Sequence, residues 1–257
     1  MPDIAGYTEQ RLRRPAPCDC NVVPGSTPVL SFGPARIAQV ATLGLNPSRV
    51  EFLDSDGREL TGADRRLATH ASLHTTDLVN AHPDLLQQIV DDCNAYFQRK
   101  PYHRWFDQLE RVLEACGASY YNGSACHLDL VQWATDPTWG GLDSRVRATL
   151  LAADGLFLVE QLRCEHLQLL LVNGMGVIRQ LVRSLHCSLK EQSPIAISGI
   201  CKARVFCGEV CGRVFAIGWS ANLQSSFGVT SEFRSLLAAR VGLLAGEAGC
   251  CITNGCS

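Results

Sequence analysis

The chain has 257 residues, 46% hydrophobic and 19% charged, with a formal net charge of −2. That composition supports a buried core and excludes global disorder. The balanced charge excludes a protein that coats nucleic acid by bulk electrostatics, while leaving local contacts by arginines and backbone amides open.

In chain order, residues 1–35 are rich in Pro, Arg and Gly without a sustained period and read as an irregular arm. Residues 39–45 are a short apolar run stopped by Asn46-Pro47-Ser48, a buried strand and its loop. Residues 64–72 form a short helix. Pro83 opens a helix whose apolar positions recur at helical spacing through Gln98. Residues 105–116 form another, stopped at Gly117. Residues 119–130 are a second strand and its loop. Residues 142–164 are a long helix with Asp143 or Ser144 as its cap. Residues 166–172 are a strand running into Asn173-Gly174, and residues 176–186 a helix. Residues 205–207 and 213–217 make a hairpin. A polar loop, residues 218–228, leads to a last helix at 230–241, capped by Thr230 or Ser231. Residues 246–257 are a frayed tail.

Strands thus alternate with helices. The expected fold is α/β: one domain over residues 36–245, a three-layer α/β/α sandwich on a mainly parallel central sheet. Ligands of such sheets sit beyond the carboxyl ends of the strands, which selects the loops 44–62, 122–139, 173–176 and 218–228. No apolar run reaches the roughly 18–20 residues of a membrane span; the nearest, residues 150–159, is broken by Asp154. The N-terminus lacks the apolar stretch of a secretory signal. A cytoplasmic monomer with no membrane partner is expected.

The 13 cysteines are odd in number, and without an export signal they are expected as reduced thiols. The close sets Cys18/Cys20, Cys207/Cys211, Cys250/Cys251 and Cys256 lack zinc spacing. No metal, iron–sulfur cluster or organic cofactor is expected.

Four stretches carry candidate chemistry. In Gly44-Leu45-Asn46-Pro47-Ser48, Asn46 either satisfies its own turn or presents an amide to a water or ligand. Asn122, in Tyr120-Tyr121-Asn122-Gly123-Ser124-Ala125-Cys126, is either a turn residue or an amide offering a donor and an acceptor to a base edge. Leu170-Leu171-Val172-Asn173-Gly174 is a strand and its turn. Trp219-Ser220-Ala221-Asn222-Leu223, with Phe227-Gly228 after it, closes the set. His127 and Asp129, two apart, would share a strand face and are assigned no role.

In this order and placement the stretches resemble the uracil-DNA glycosylase superfamily, over residues 40–241. The resemblance implies that Asn46 holds the attacking water and that Phe52, if it is not simply a core residue, stacks on an extruded base. It implies that Asn122 reads the Watson–Crick edge of a flipped pyrimidine. Trp219 stands where the family has a histidine or asparagine that stabilises the leaving base. Its indole N–H, or Asn222 or Ser220 beside it, would take over. Leu223 either wedges into the DNA stack or packs on the last helix. Ser48, Ser220 and the loop amides would meet DNA phosphates. The function implied is a monofunctional DNA glycosylase with DNA as its partner. Its base would be uracil or a modified pyrimidine such as glucosylated hydroxymethylcytosine of phage DNA, the latter an antiviral defence. The alternatives are an inactive nucleic-acid-binding module of the same fold and a Cys- or His-dependent hydrolase. Against the hydrolase, the chain has no Gly-x-Ser-x-Gly elbow.

Overall fold

The computed structural model describes residues 4–224 and 228–251. Phe227 and Cys256 lie outside the described residues. The chain divides into two compact units: Met1–Gly33, Leu45–Pro101 and Leu128–Gln161 form one, and Pro34–Gly44, Tyr102–His127 and Leu162–Ser257 the other. The boundaries of these two units cross the expected division into an irregular arm at residues 1–35 and one domain at residues 36–245, and the chain passes between the units repeatedly.

The fold is α/β, with a six-stranded mixed sheet that is mostly parallel. Its strands are β1 (Val40–Gly44), β2 (Ala125–Asp129), β3 (Leu169–Asn173), β4 (Lys190–Ile197), β5 (Ile200–Val210) and β6 (Val214–Trp219), in the order β2-β1-β3-β6-β5-β4. β1 and β3 are buried at every position, which is why they read as unbroken apolar runs rather than alternating ones. β1 pairs in parallel with β3, and β3 with β6, the last register setting Asn173 opposite Trp219. β5 runs antiparallel to both β6 and β4. Polar residues and Pro194 hide β4 in the sequence. The structure accommodates them at a sheet edge, with register shifts on either side of Ile195, where a strand tolerates proline.

The second unit also holds α3 (His103–Ala115), α5 (Met175–Leu185) and α6 (Ser231–Glu247). Thr230 caps α6 by accepting from Phe233 N at 3.1 Å. α6 crosses α3 at Gly242, where a Cβ would stand 2.6 Å from Ala115 O; only glycine permits that approach. The strand expected from residue 119 starts at Ala125. Residues 119–124 instead form a turn closed by Gly123 at φ +78°. The start of β2 lies beside the start of β1, where Gln39 N and Val40 N both donate to Ser124 O.

The first unit holds α1 (Gly6–Arg13), α2 (Pro83–Asn94) and most of α4 (Ser144–Cys164). α2 stops four residues before Gln98 and yields to a 3-10 turn at Tyr96–Gln98. The helix expected at 64–72 is only a 3-10 turn at Gly62–Asp64. The Arg145 N–H donates to Asp143 Oδ1 at 2.7 Å, so Asp143 caps α4. The segment 1–35, expected as an irregular arm packed on the core, is helical at Gly6–Arg13, and that helix is anchored. Arg11, 1% exposed, donates to Gln132 Oε1 at 3.1 Å and to Asp154 Oδ2 at 3.0 Å, and its guanidinium lies 5.1 Å over the Trp133 ring. Asp154, the charge that breaks the apolar run of α4, is thus the buried partner of the N-terminal helix. Burial pushes the Asp154 carboxyl up against the pull of Arg11. Among the described residues no helix is long and apolar enough to cross a membrane.

Candidate functional site

In the sheet-bearing unit, the carboxyl ends of β3 and β6 are joined by one side chain. Asn173, 7% exposed, ends β3. Its Oδ1 accepts from the Trp219 indole N–H at 3.0 Å and from Leu223 N at 3.1 Å, while its Nδ2 donates to Gln224 Oε1 at 2.6 Å and Asn222 Oδ1 at 3.4 Å. Gln224 Nε2 in turn donates to Trp105 O at 3.0 Å. The chain turns after Asn173 through Gly174 at φ +99°, a conformation that side chains rarely adopt. Gly174 N and Met175 N donate to Trp219 O and Ser220 O, so the loop after β6 is fastened to the start of α5. The sequence gives this hub one faint sign, an Asn ending an apolar strand beside a Gly. It was missing from the expected site residues.

That hub corrects three expectations. Trp219 is fully buried and its N–H is committed to Asn173, so it offers nothing to a leaving base. Leu223 is fully buried and its amide is likewise bound, so it is neither a protruding wedge nor a free phosphate donor. Ser220 N donates to Arg204 O and its Oγ accepts from Arg204 N at 3.0 Å, which ties it to the neighbouring strand instead of phosphate. Asn222 is exposed; its Oδ1 accepts from Gln224 N at 3.0 Å, and its Nδ2 has no partner among the described residues.

Asn122 is also corrected. It precedes β2, at the amino edge of the sheet, whereas Asn173 and Trp219 lie at the carboxyl edge. Its Oδ1 accepts from Ser124 N at 2.9 Å, the local bond of an Asx turn. His127 is structural: its Nδ1 bonds Thr42 Oγ1 at 2.7 Å, and Trp105 and Phe106 pack edge-on against its ring.

In the other unit, the loop that follows β1 lies alongside residues 131–135. Val131 N donates to Leu45 O at 3.0 Å, and Ser48 bridges Thr135. Between these contacts the Asn46 amide donates one hydrogen to Trp133 O at 3.1 Å and the other to Thr135 Oγ1 at 3.0 Å. A backbone carbonyl only accepts, so the flip of this amide is settled, and Oδ1 is left as an acceptor on a half-buried side chain. Ser48, also half-buried, hands its backbone carbonyl to Glu51 N.

The 3-10 turn Arg49–Glu51 then carries the loop inward. Phe52 is 1% exposed and belongs to the core, so its ring has no face for a stacked base. Beside it is Glu51, an acidic residue of the loop that was not among the expected site residues. Glu51 is 3% exposed, accepts from the Tyr96 hydroxyl at 2.6 Å, and has Arg66 Nη1 at 3.7 Å. Burial raises its pKa from 4.5 to about 7, with Tyr96 and Arg66 opposing the rise and Asp129 adding to it. A glutamate between Val50 and Phe52 was the available signal. Among the described residues, no group of three or more His, Cys, Asp or Glu side chains is placed to hold a metal ion.

No protein-family model matches the chain, and no curated protein does. The functional reading therefore rests on the residues themselves.

Proposed function

We propose that the chain is a monofunctional DNA glycosylase with the three-layer α/β/α architecture of the uracil-DNA glycosylases. The observation that carries the reading is the Asn46 amide. With both N–H groups held by Trp133 O and Thr135 Oγ1, its Oδ1 is preset to accept a hydrogen bond from a water. It sits on the loop just beyond the carboxyl end of β1, a strand in parallel register with β3, the edge at which open α/β sheets bind ligands.

The chemistry follows from what an amide does. Asn46 does not take up a proton at neutral pH, so it orients water rather than deprotonating it. The N-glycosidic bond of a nucleotide turned out of the stack therefore breaks first. The sugar gains oxocarbenium character, the base departs as an anion, and the oriented water captures C1′, releasing to solvent a proton that balances the one the base anion takes up. An abasic site and the free base are the products. The substrate base is uracil or a pyrimidine bearing a bulky 5-substituent. Burial of Trp219 at the family's histidine position favours a second reading, a nucleic-acid-binding module without activity.

The test is single-turnover abasic-site formation on duplexes carrying uracil, other deaminated bases, and glucosylated hydroxymethylcytosine. Asn46→Ala should slow base release by about 10²-fold or more, worth roughly 2.7 kcal/mol, at a stability cost of about 1–3 kcal/mol for the two lost hydrogen bonds. An unchanged rate in the folded variant would refute water positioning by Asn46. DNA binding without abasic sites on any substrate would select the second reading.

A further inference from the structure

The loop 220–224, which follows β6, is flanked by arginines of its own unit. Arg204, exposed on β5, is tied to Ser220: Ser220 N donates to Arg204 O at 2.9 Å, and Ser220 Oγ accepts from Arg204 N at 3.0 Å. Arg104, exposed in the first turn of α3, precedes Trp105, whose carbonyl accepts from Gln224 Nε2 at 3.0 Å. Arg234, half-buried near the start of α6, has its Nη2 3.5 Å from Leu223 O. Lys202, also exposed, lies two residues from Arg204 and therefore on the same face of β5.

Carboxylates do not match these cations. Arg234 makes that single long contact; its Nε is enclosed without a partner, and its Nη1 is neither bonded nor enclosed. Arg104, Lys202 and Arg234 enter no ion pair among the described residues. Arg204 has Glu191 at 3.6 Å, but the two side chains are 50% and 48% exposed, where water and salt weaken a pair. Of the carboxylates on the same elements, Asp107 accepts from the Tyr121 hydroxyl, and Glu232 is exposed at the start of α6. In a chain of net charge −2, this loop is edged by a local excess of positive charge that the composition does not predict. A half-buried guanidinium without a carboxylate is held at a desolvation cost that an anion would offset.

We infer that Arg104, Arg204 and Arg234, with Lys202, form a phosphate-contact surface around the loop 220–224 that grips the backbone of DNA. The planar donor fork of arginine matches phosphate oxygens. The Ser220 hydroxyl and the Leu223 amide, expected to meet phosphate, are spent inside the fold, whereas these guanidinium groups are not. Contacts of this kind position a duplex without reading its sequence. Each one releases counterions, so the surface declares itself through the salt dependence of binding. The inference rests on the reading of the chain as a protein that handles DNA, with or without base release. It concerns grip alone, since Asn46 belongs to the other unit.

The experiment is fluorescence anisotropy of the full chain with a labelled, undamaged DNA duplex over a series of KCl concentrations. Wild type should bind at low salt, with the logarithm of the binding constant falling linearly against the logarithm of the salt concentration. Arg104→Gln, Arg204→Gln and Arg234→Gln should each make that slope shallower by about 0.9, and the triple variant by about 2.7, with no change in preference among duplex sequences. Arg234→Lys keeps the charge at the half-buried position and should retain the wild-type slope, which separates loss of contact from loss of fold. Arg183→Gln removes a positive charge from the last turn of α5, the end away from the loop, and should leave the slope unchanged. Absence of DNA binding at low salt, a triple-variant slope equal to that of wild type, or an equal change in Arg183→Gln overturns the assignment. Base release is read separately. Binding through these arginines with no abasic sites on any substrate defeats the glycosylase reading and keeps the surface; base release with an unchanged triple-variant slope keeps that reading and defeats the surface.

Discussion

Replacing Glu51 by glutamine should make the protein more stable at alkaline than at acidic pH relative to wild type. The folded carboxyl titrates at about 7 instead of 4.5 because it is buried. Between those values the folded state holds a proton that the unfolded state has released, so wild-type stability falls as pH rises through the window. The loss from this one group is about 3 kcal/mol over the whole window, at roughly 1.4 kcal/mol per pKa unit. Most of it, about 2–3 kcal/mol, falls between about pH 5 and about pH 8. Glutamine keeps an oxygen for the Tyr96 hydroxyl and never ionises. The other titrating groups are common to both proteins and cancel in the difference. Urea denaturation of wild type and Glu51→Gln at the two pH values reads the effect directly. The stability difference between variant and wild type should move by about 2–3 kcal/mol in favour of the variant as pH rises. A difference that stays constant across that range, or moves the other way, would refute the assignment of a neutral buried carboxyl.

Three further outcomes follow from the buried polar contacts and the core. Arg11→Ala leaves Asp154 charged and buried without its partner, and should cost about 3–5 kcal/mol; a thermal melt within error of wild type would show that α1 is not anchored by this pair. Asn173→Ala strips acceptors from the Trp219 indole N–H and the Leu223 amide and should cost about 1–3 kcal/mol for each group left unsatisfied. Faster proteolysis at residues 220–224 would report the released loop, and unchanged cleavage would contradict the hub. Leu223→Ala opens a cavity in the core and should cost about 2–5 kcal/mol, whereas a DNA wedge standing in solvent would leave the melting temperature unmoved.

What the sequence determined by itself is what depends on neighbours along the chain. Continuous apolar runs marked β1 and β3, because parallel strands covered on both faces need no polar alternation. Pro83 marked the start of α2 and Thr230 the cap of α6, because helix ends are satisfied by residues within a turn. The Gly44–Ser48 turn was legible for the same reason, but the partners that hold the Asn46 amide, Trp133 and Thr135, lie 87 and 89 positions away. β4 was not, since its polar residues and Pro194 are tolerated only at a sheet edge, and an edge exists only once the strands are ordered. Partners far along the chain settled the rest. Asn173 took the Trp219 indole N–H, and the core closed over Phe52 and Leu223. Arg11 found Asp154 across 143 positions, which anchors a helix within the segment that reads as an irregular arm. Glu51 has an ordinary carboxylate's pKa until the fold buries it, and that burial outweighs the opposing pull of Tyr96 and Arg66. Burial is the property that separates a base-stacking ring from a core ring and a surface acid from a neutral one. It belongs to the assembled fold because it depends on which distant segments exclude water from each side chain.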